Sequence, residues 1–286
     1  KAGSVKLSEG VGIMCVQDGG GGGAGGEAMK IWVPDKDELW QLARVVRPSE
    51  KEGEMVVQPI GDDGEDLAPR DDDDGGEVEV ACDVTQPWDE THGEDLSDIA
   101  LMNDLNEAPM LHLLRRRFFA DDIYTYSSSG VLISINPYRP IPKLYELGEP
   151  AAGQQAPPHV HAIAKNAFDA MLATGQSQAL LINGESGAGK TEASKFAVRY
   201  LAQLSESAGG GGGGGKSVEQ LIIDSSPLLE AFGNARTRAN ANSSRFGKFL
   251  VIHYALRDGG AAMCGAAIDD FLLEKARVVA HGPGER

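Results

Sequence analysis

The sequence predicts an α/β protein: a mixed sheet with flanking helices, preceded by a small antiparallel β-barrel. Three observations carry this. From about residue 90 onward, strand-like and helix-like patterns alternate, as they do in a mixed α/β domain. Over residues 28–88, short β-rich runs are separated by Pro, Gly and Asp, the spacing of a small barrel. Eight glycine-rich residues, 184–191, stand between a strand pattern and a helix pattern.

Composition bounds the rest. The chain has 286 residues, 41% of them apolar, enough for one large domain or two smaller ones. It starts at Lys1 and ends in the polar run Gly282-Pro283-Gly284-Glu285-Arg286, so a piece of a longer protein is expected. The formal net charge is −17, with acidic runs at Asp62-Asp63, Glu65-Asp66 and Asp71 to Asp74 that read as solvated loops. So acidic a chain argues against nucleic acid as a partner, because phosphate backbones reward Lys and Arg. The short cluster Arg115-Arg116-Arg117 reads as an exposed helix face. Cys15, Cys82 and Cys264 are widely spaced and odd in number, with neither a disulfide framework nor zinc spacing. That fits a reducing, cytoplasmic setting. No apolar run approaches the roughly 20 residues of a membrane span.

Along the chain, residues 1–27 predict a flexible segment, since 19–26 are nearly all glycine. The barrel strands are expected at 31–33, 40–46, 55–60 and 77–84, the last with Val78, Val80 and Cys82 on one face. Residues 96–119 have helical spacing through Leu101, Leu105, Leu111, Leu114 and Phe118, with Pro109 opening a second helix. A buried strand is expected at 131–135, stopped by Asn136-Pro137-Tyr138, then a helix at 159–172 and a short buried strand at 179–183. From 190 to 204 the residues Ala193, Phe196, Ala197, Tyr200, Leu201 and Leu204 line one helix face. A surface loop at 205–217 contains seven consecutive glycines, 209–215. Ser226-Pro227 predicts a helix start, and Gly233 its end. Strands at 249–256 and 267–273 flank Arg257-Asp258-Gly259-Gly260, so an antiparallel hairpin is expected.

The segment with decisive chemistry is Gly184-Glu185-Ser186-Gly187-Ala188-Gly189-Lys190-Thr191: glycine, four residues, glycine, lysine and a hydroxyl. Its glycines let backbone N–H groups turn toward phosphates. The helix that follows adds its positive end. Lys190 supplies a point charge for the β- and γ-phosphates, and the Thr191 hydroxyl is a ligand for Mg²⁺. This is the phosphate-loop (P-loop) NTPase pattern, with ATP and Mg²⁺ as its implied ligands. Two competing patterns fail. A hydrolase elbow would need glycine at Ala188, and a dinucleotide fingerprint would need glycine at Glu192. His159 and His161 lie two apart at a helix start, with no further metal ligand evident. A second polar loop, Asn240-Ala241-Asn242-Ser243-Ser244-Arg245-Phe246-Gly247-Lys248, stands just before a strand and reads as a γ-phosphate sensor.

Together, 184–191, 229–235 and 242–248 resemble the myosin motor. So do Leu105-Asn106-Glu107, 123–126, Asn136-Pro137-Tyr138, Leu272-Leu273-Glu274-Lys275 and 283–286, all in the family's order over about 95–286. The strands from about Met29 look like the small Src-homology-3-like barrel preceding many such motors. The resemblance implies an α/β P-loop NTPase-type sheet, incomplete here, and an organisation of flexible segment 1–27, barrel 28–88 and motor part 89–286. It implies an actin-activated ATPase acting by in-line attack of water on the γ-phosphate. Its partners would be actin filaments, with calmodulin-like light chains on a neck, and its setting the cytoskeleton. Gly184, Glu185, Ser186, Gly187, Ala188, Gly189, Lys190 and Thr191 would hold the phosphates. Thr191 and Ser244 would ligate Mg²⁺. Asn240 and Ser243 would contact phosphate oxygens or place the attacking water. Arg245 would pair with a glutamate of the second switch, and Asn136, Pro137, Tyr138 and Tyr145 would line the adenine pocket. Ala241, Ala193 and His161 depart from the residues common at those places in the family. Two other readings stay open: a nucleotide-binding scaffold that has lost turnover, and a P-loop enzyme that is not a motor.

Overall fold

The computed structural model describes residues 28–67, 76–128, 130–146, 156–205, 217–238, 241–257, 260–276 and 280–284. The expected flexible segment 1–27 and the glycines of the 205–217 loop lie outside the described residues. The chain divides into two compact units, the first comprising 1–96 and 101–116, the second 97–100 and 117–286.

The first unit is one antiparallel sheet of β1 (Lys30–Asp35), β2 (Leu39–Pro48), β3 (Glu54–Pro59), β4 (Val78–Ala81) and β5 (Gln86–Pro87), in the order β4-β3-β2-β1-β5. Period-two alternation gives it two apolar faces. Ile31, Val33, Ala43, Met55 and Val57 form one, with Val78, Val80 and Cys82 packed against it as the alternation predicts. Trp32, Leu42 and Ile60 form the other, covered by Ala108 of helix α1 (Glu107–Phe119) and by Trp40 and Trp88. The sheet stays open, with β4 and β5 as its two edges, so no closed barrel forms among the described residues. Trp32 is 2% exposed, and its indole N–H donates to His92 Nδ1 at 3.2 Å. His92 is itself fully buried and donates from Nε2 to the Asn103 carbonyl at 2.9 Å.

Helix α1 keeps Pro109 in its first turn, as predicted, but the helix expected before it is absent; residues 96–106 contain only one 3-10 turn, Ile99–Leu101. Asp98 and Asn106 explain this. Each side-chain oxygen accepts the N–H two residues on, from Ala100 at 2.9 Å and Ala108 at 3.1 Å. Such local bonds compete with helix continuation.

The second unit contains the strand pairs β6 (Tyr124–Tyr126) with β7 (Leu132–Ser134), β8 (Asn234–Ala235) with β9 (Ser243–Ser244), and β10 (Gly247–Arg257) with β11 (Gly260–Phe271). Its helices are α2 (Val160–Thr174), α3 (Lys190–Ser205) and α4 (Val218–Gly233). Its core joins Ile123, Tyr124, Val160, Ala164, Phe168, Ala197, Leu201 and Ala261. The hairpin is present as predicted, although β11 begins directly at Gly260.

Two expectations need correcting here. The run 179–183 forms no strand, and Leu181 is 90% exposed. Among the described residues of the second unit, the strands stand in three antiparallel pairs. Helix α4 starts at Val218, not at Ser226, because Ser217 caps it by accepting the Gln220 N–H at 3.1 Å. Pro227 lies inside the helix. The Ser225 and Ser226 hydroxyls both donate to the Ile222 carbonyl just ahead of it.

His159 caps α2, its Nδ1 accepting the His161 N–H at 3.1 Å. The residue is 2% exposed, its ring packed among Tyr124, Tyr145 and His161. Burial, helped by His161, pushes its pKa down to about 4 from the ordinary 6.5. Folding therefore favours the neutral ring. Stability is full above pH 6.5 and falls as pH drops toward 4, by about 3 kcal/mol in total for such a shift. His159→Asn keeps a capping side chain and removes the titration. Urea unfolding across this range is expected to show a flatter profile for the variant; an unchanged slope would refute the assignment.

Candidate functional site

Residues 184–191 form a tight loop into the start of α3, with Gly184, Gly187 and Gly189 at φ of 150°, 87° and 91°. These values suit glycine, whose missing Cβ removes the clash. Helix α3 begins at Lys190, so its first N–H groups and positive end face the loop. Lys190 Nζ folds back over the loop and donates to the carbonyls of Gly184 at 2.7 Å and Glu185 at 2.8 Å. The ammonium thus lies over the loop on the cavity wall, held by neutral acceptors weaker than a charged oxygen would be.

The loop is tied to two other parts of the chain. Asn136, just after β7, donates from Nδ2 to the Gly187 carbonyl at 2.8 Å and accepts the Tyr138 N–H at 2.9 Å. The Ser186 and Ser243 hydroxyls share a hydrogen bond of 2.7 Å, joining the glycine loop to the polar sensor loop. Pairing of β8 with β9 sets Asn234 opposite Ser244, whose hydroxyl donates to Asn234 Oδ1 at 3.0 Å. The Arg245 N–H donates to the Gly233 carbonyl at 2.9 Å. A Cβ on Gly233 would stand 2.1 Å from the Phe246 ring, so only glycine lets the end of α4 approach this closely.

Between the two loops lies an open cavity of about 850 Å³. Gly184, Ser186, Gly187, Gly189, Lys190, Thr191, Ser243, Ser244, Arg245, Asn136 and Tyr138 line it. Glu185 and Ala188 belong to the loop but not to the wall, and Pro137 does not line it either. Tyr145 lies elsewhere: its ring stacks on Phe196 with centroids 3.5 Å apart, and its hydroxyl meets that of Tyr124 at 3.1 Å. It serves the core around α2 and α3 and is not on the cavity wall. Asn240 lies outside the described residues. Arg245 pairs with Glu274, Nε to Oε2 at 2.5 Å.

Thr191 and Ser244 both line this cavity, and each carries a hydroxyl. Magnesium bound with phosphate takes most of its ligands from phosphate and water, so a pair of protein hydroxyls fits that ion. No cluster of three or more His, Cys, Asp or Glu suited to a metal occurs among the described residues. His159 and His161 are engaged in ring contacts instead. Sequence reasoning missed Glu230, Asn234 and Glu274 on the wall. They sit inside 229–235 and 272–275, segments whose motif character was visible without a role for each side chain.

Comparison with known proteins gives a consistent result. The family model for the myosin head (motor domain) matches residues 96–286. Unconventional myosin-VI of Bos taurus is 36% identical over 261 residues, covering 90% of this chain and 18% of that protein. Myosin-15 of Arabidopsis thaliana is 39% identical over 272 residues, covering 90% and 16%. Myosin-M heavy chain of Dictyostelium discoideum is 42% identical over 217 residues, covering 72% and 12%. The chain therefore spans less than a fifth of the length of these relatives. No helix among the described residues is long and apolar enough to cross a membrane.

Proposed function

Because this chain belongs to the myosin head family, we propose that it carries the ATP- and magnesium-binding half-site of an actin-activated motor. The observation that carries the reading is the facing of two loops across one cavity. Lys190 and the glycine cradle stand on one side, Ser243, Ser244 and Arg245 on the other, joined by the Ser186–Ser243 bond. Such a pair of loops can grip a triphosphate from both sides. Lys190 exchanges its two carbonyl acceptors for β- and γ-phosphate oxygens. Ser243 trades its bond to Ser186 for one to the γ-phosphate, and Thr191 and Ser244 hold the metal. Bound Mg²⁺ supplies charge neutralisation at the phosphates. The rest of catalysis in this class is positioning and charge stabilisation. Asn136 and Tyr138, on the same cavity, are assigned to the nucleotide base.

Movement on actin filaments, a cytoskeletal setting and calmodulin-like light chains are assigned to the protein in its full extent. This chain alone is expected to bind nucleotide weakly and to turn over little of it. Isothermal titration calorimetry with ATP is expected to show one saturable site whose affinity falls at least about tenfold when EDTA removes Mg²⁺, as loss of a divalent partner to phosphate requires. Absence of saturable binding, or binding indifferent to Mg²⁺, would overturn the reading.

A further inference from the structure

Arg245 and Glu274 are 29 residues apart and meet because of the hairpin between them. β10 begins at Gly247 and β11 ends opposite it at Phe271, so the open end of the hairpin delivers both residues to one place. The chain leaves β11 through Leu272 at φ +56°, a left-handed conformation that favours glycine. Lys275 N then donates to the Leu273 carbonyl at 2.8 Å, closing a tight turn. This turn carries Glu274 back beneath the sensor loop, where its N–H donates to the Arg245 carbonyl at 2.9 Å and its carboxylate accepts from Arg245 Nε. Arg245 Nη1 in turn donates to Ser243 Oγ at 3.2 Å, and Ser243 meets Ser186 of the phosphate loop.

We infer that Glu274 is a positioning residue for γ-phosphate recognition: through Arg245 it holds the Ser243 hydroxyl at the phosphate loop. The inference rests on the nucleotide reading above. An Arg–Glu pair of ordinary surface type adds little beyond local stability. This one is fixed from both backbone and side chain, it lines the cavity, and it ends on a hydroxyl that faces the phosphate loop. Its consequence is selective. The glycine cradle and Lys190 serve ATP and ADP alike, whereas the chain from Glu274 to Ser243 serves only the triphosphate.

The test is calorimetric titration of the 286-residue chain with Mg²⁺ and either ATP or ADP. Glu274→Ala is expected to weaken ATP binding roughly tenfold, the scale of one lost charge-assisted hydrogen bond, and ADP binding less than about twofold. Glu274→Gln keeps the shape and one acceptor, so it is expected to give a smaller shift in the same ATP-to-ADP ratio. If Glu274→Ala fails to fold by far-UV circular dichroism, the ratio for Glu274→Gln decides. Equal weakening of both nucleotides, no change in either, or a wild-type chain that binds both equally would overturn the inference while leaving nucleotide binding intact. A wild-type chain that binds neither removes the nucleotide reading and this inference with it.

Discussion

Lys190→Ala is expected to weaken MgATP binding by about a hundredfold, close to 3 kcal/mol, while leaving the melting temperature nearly unchanged. Two effects add. The variant loses the ammonium that would meet the β- and γ-phosphates. It also strips the cation from the Gly184 and Glu185 carbonyls, which Nζ now contacts at 2.7 and 2.8 Å. Those oxygens would then turn their negative ends toward an incoming anion with nothing between. Lys190→Arg is not a conservative replacement, since a planar fork does not fit where a compact point charge folds back over six residues of loop. Calorimetric titration of the variant checks the first claim and thermal unfolding the second. An affinity within threefold of wild type would mean that the loop does not grip phosphate through this side chain.

The second large effect concerns the other unit. Trp32 is the largest of the fully buried side chains, and it has a polar anchor in His92. Trp32→Ala is expected to destabilise the first unit by about 3–5 kcal/mol, the usual cost of removing a buried aromatic from a core. Part of that cost falls on His92, which loses one of the two N–H donors to its Nδ1 and keeps only Asp89 N at 3.1 Å. Trp32→Phe refills much of the volume and is expected to recover about half. Urea unfolding followed by far-UV circular dichroism gives the difference; a shift below about 1 kcal/mol would mean that this face of the sheet is not the unit's core.

Much of this architecture is legible in the sequence because its signals are local. The alternation of Ile31, Trp32 and Val33 encodes the two faces of β1, and the face from Phe196 to Leu204 encodes α3. The glycine loop is legible because few segments need three positive-φ glycines before a lysine. What local pattern misleads about is equally specific. Ser226-Pro227 has the chemistry of a helix start, yet Ser217 caps the helix earlier and tertiary context carries it through the proline. Residues 179–183 have the composition of a buried strand, but burial needs neighbours, and a composition does not supply them. The pairing of Arg245 with Glu274 depends on hairpin register, which no short motif contains. Tyr145 could be named as an aromatic near the site, but whether it faced a ligand or Phe196 was a matter of packing.

The distribution of indole rings has a practical meaning. All three tryptophans, Trp32, Trp40 and Trp88, belong to the first unit, whereas the glycine cradle and the sensor loop belong to the second. Ultraviolet emission from this protein is therefore a report on the open five-stranded sheet. A change in that emission on adding nucleotide would be news of traffic between the two units, and its absence would say nothing about whether the cavity had been filled.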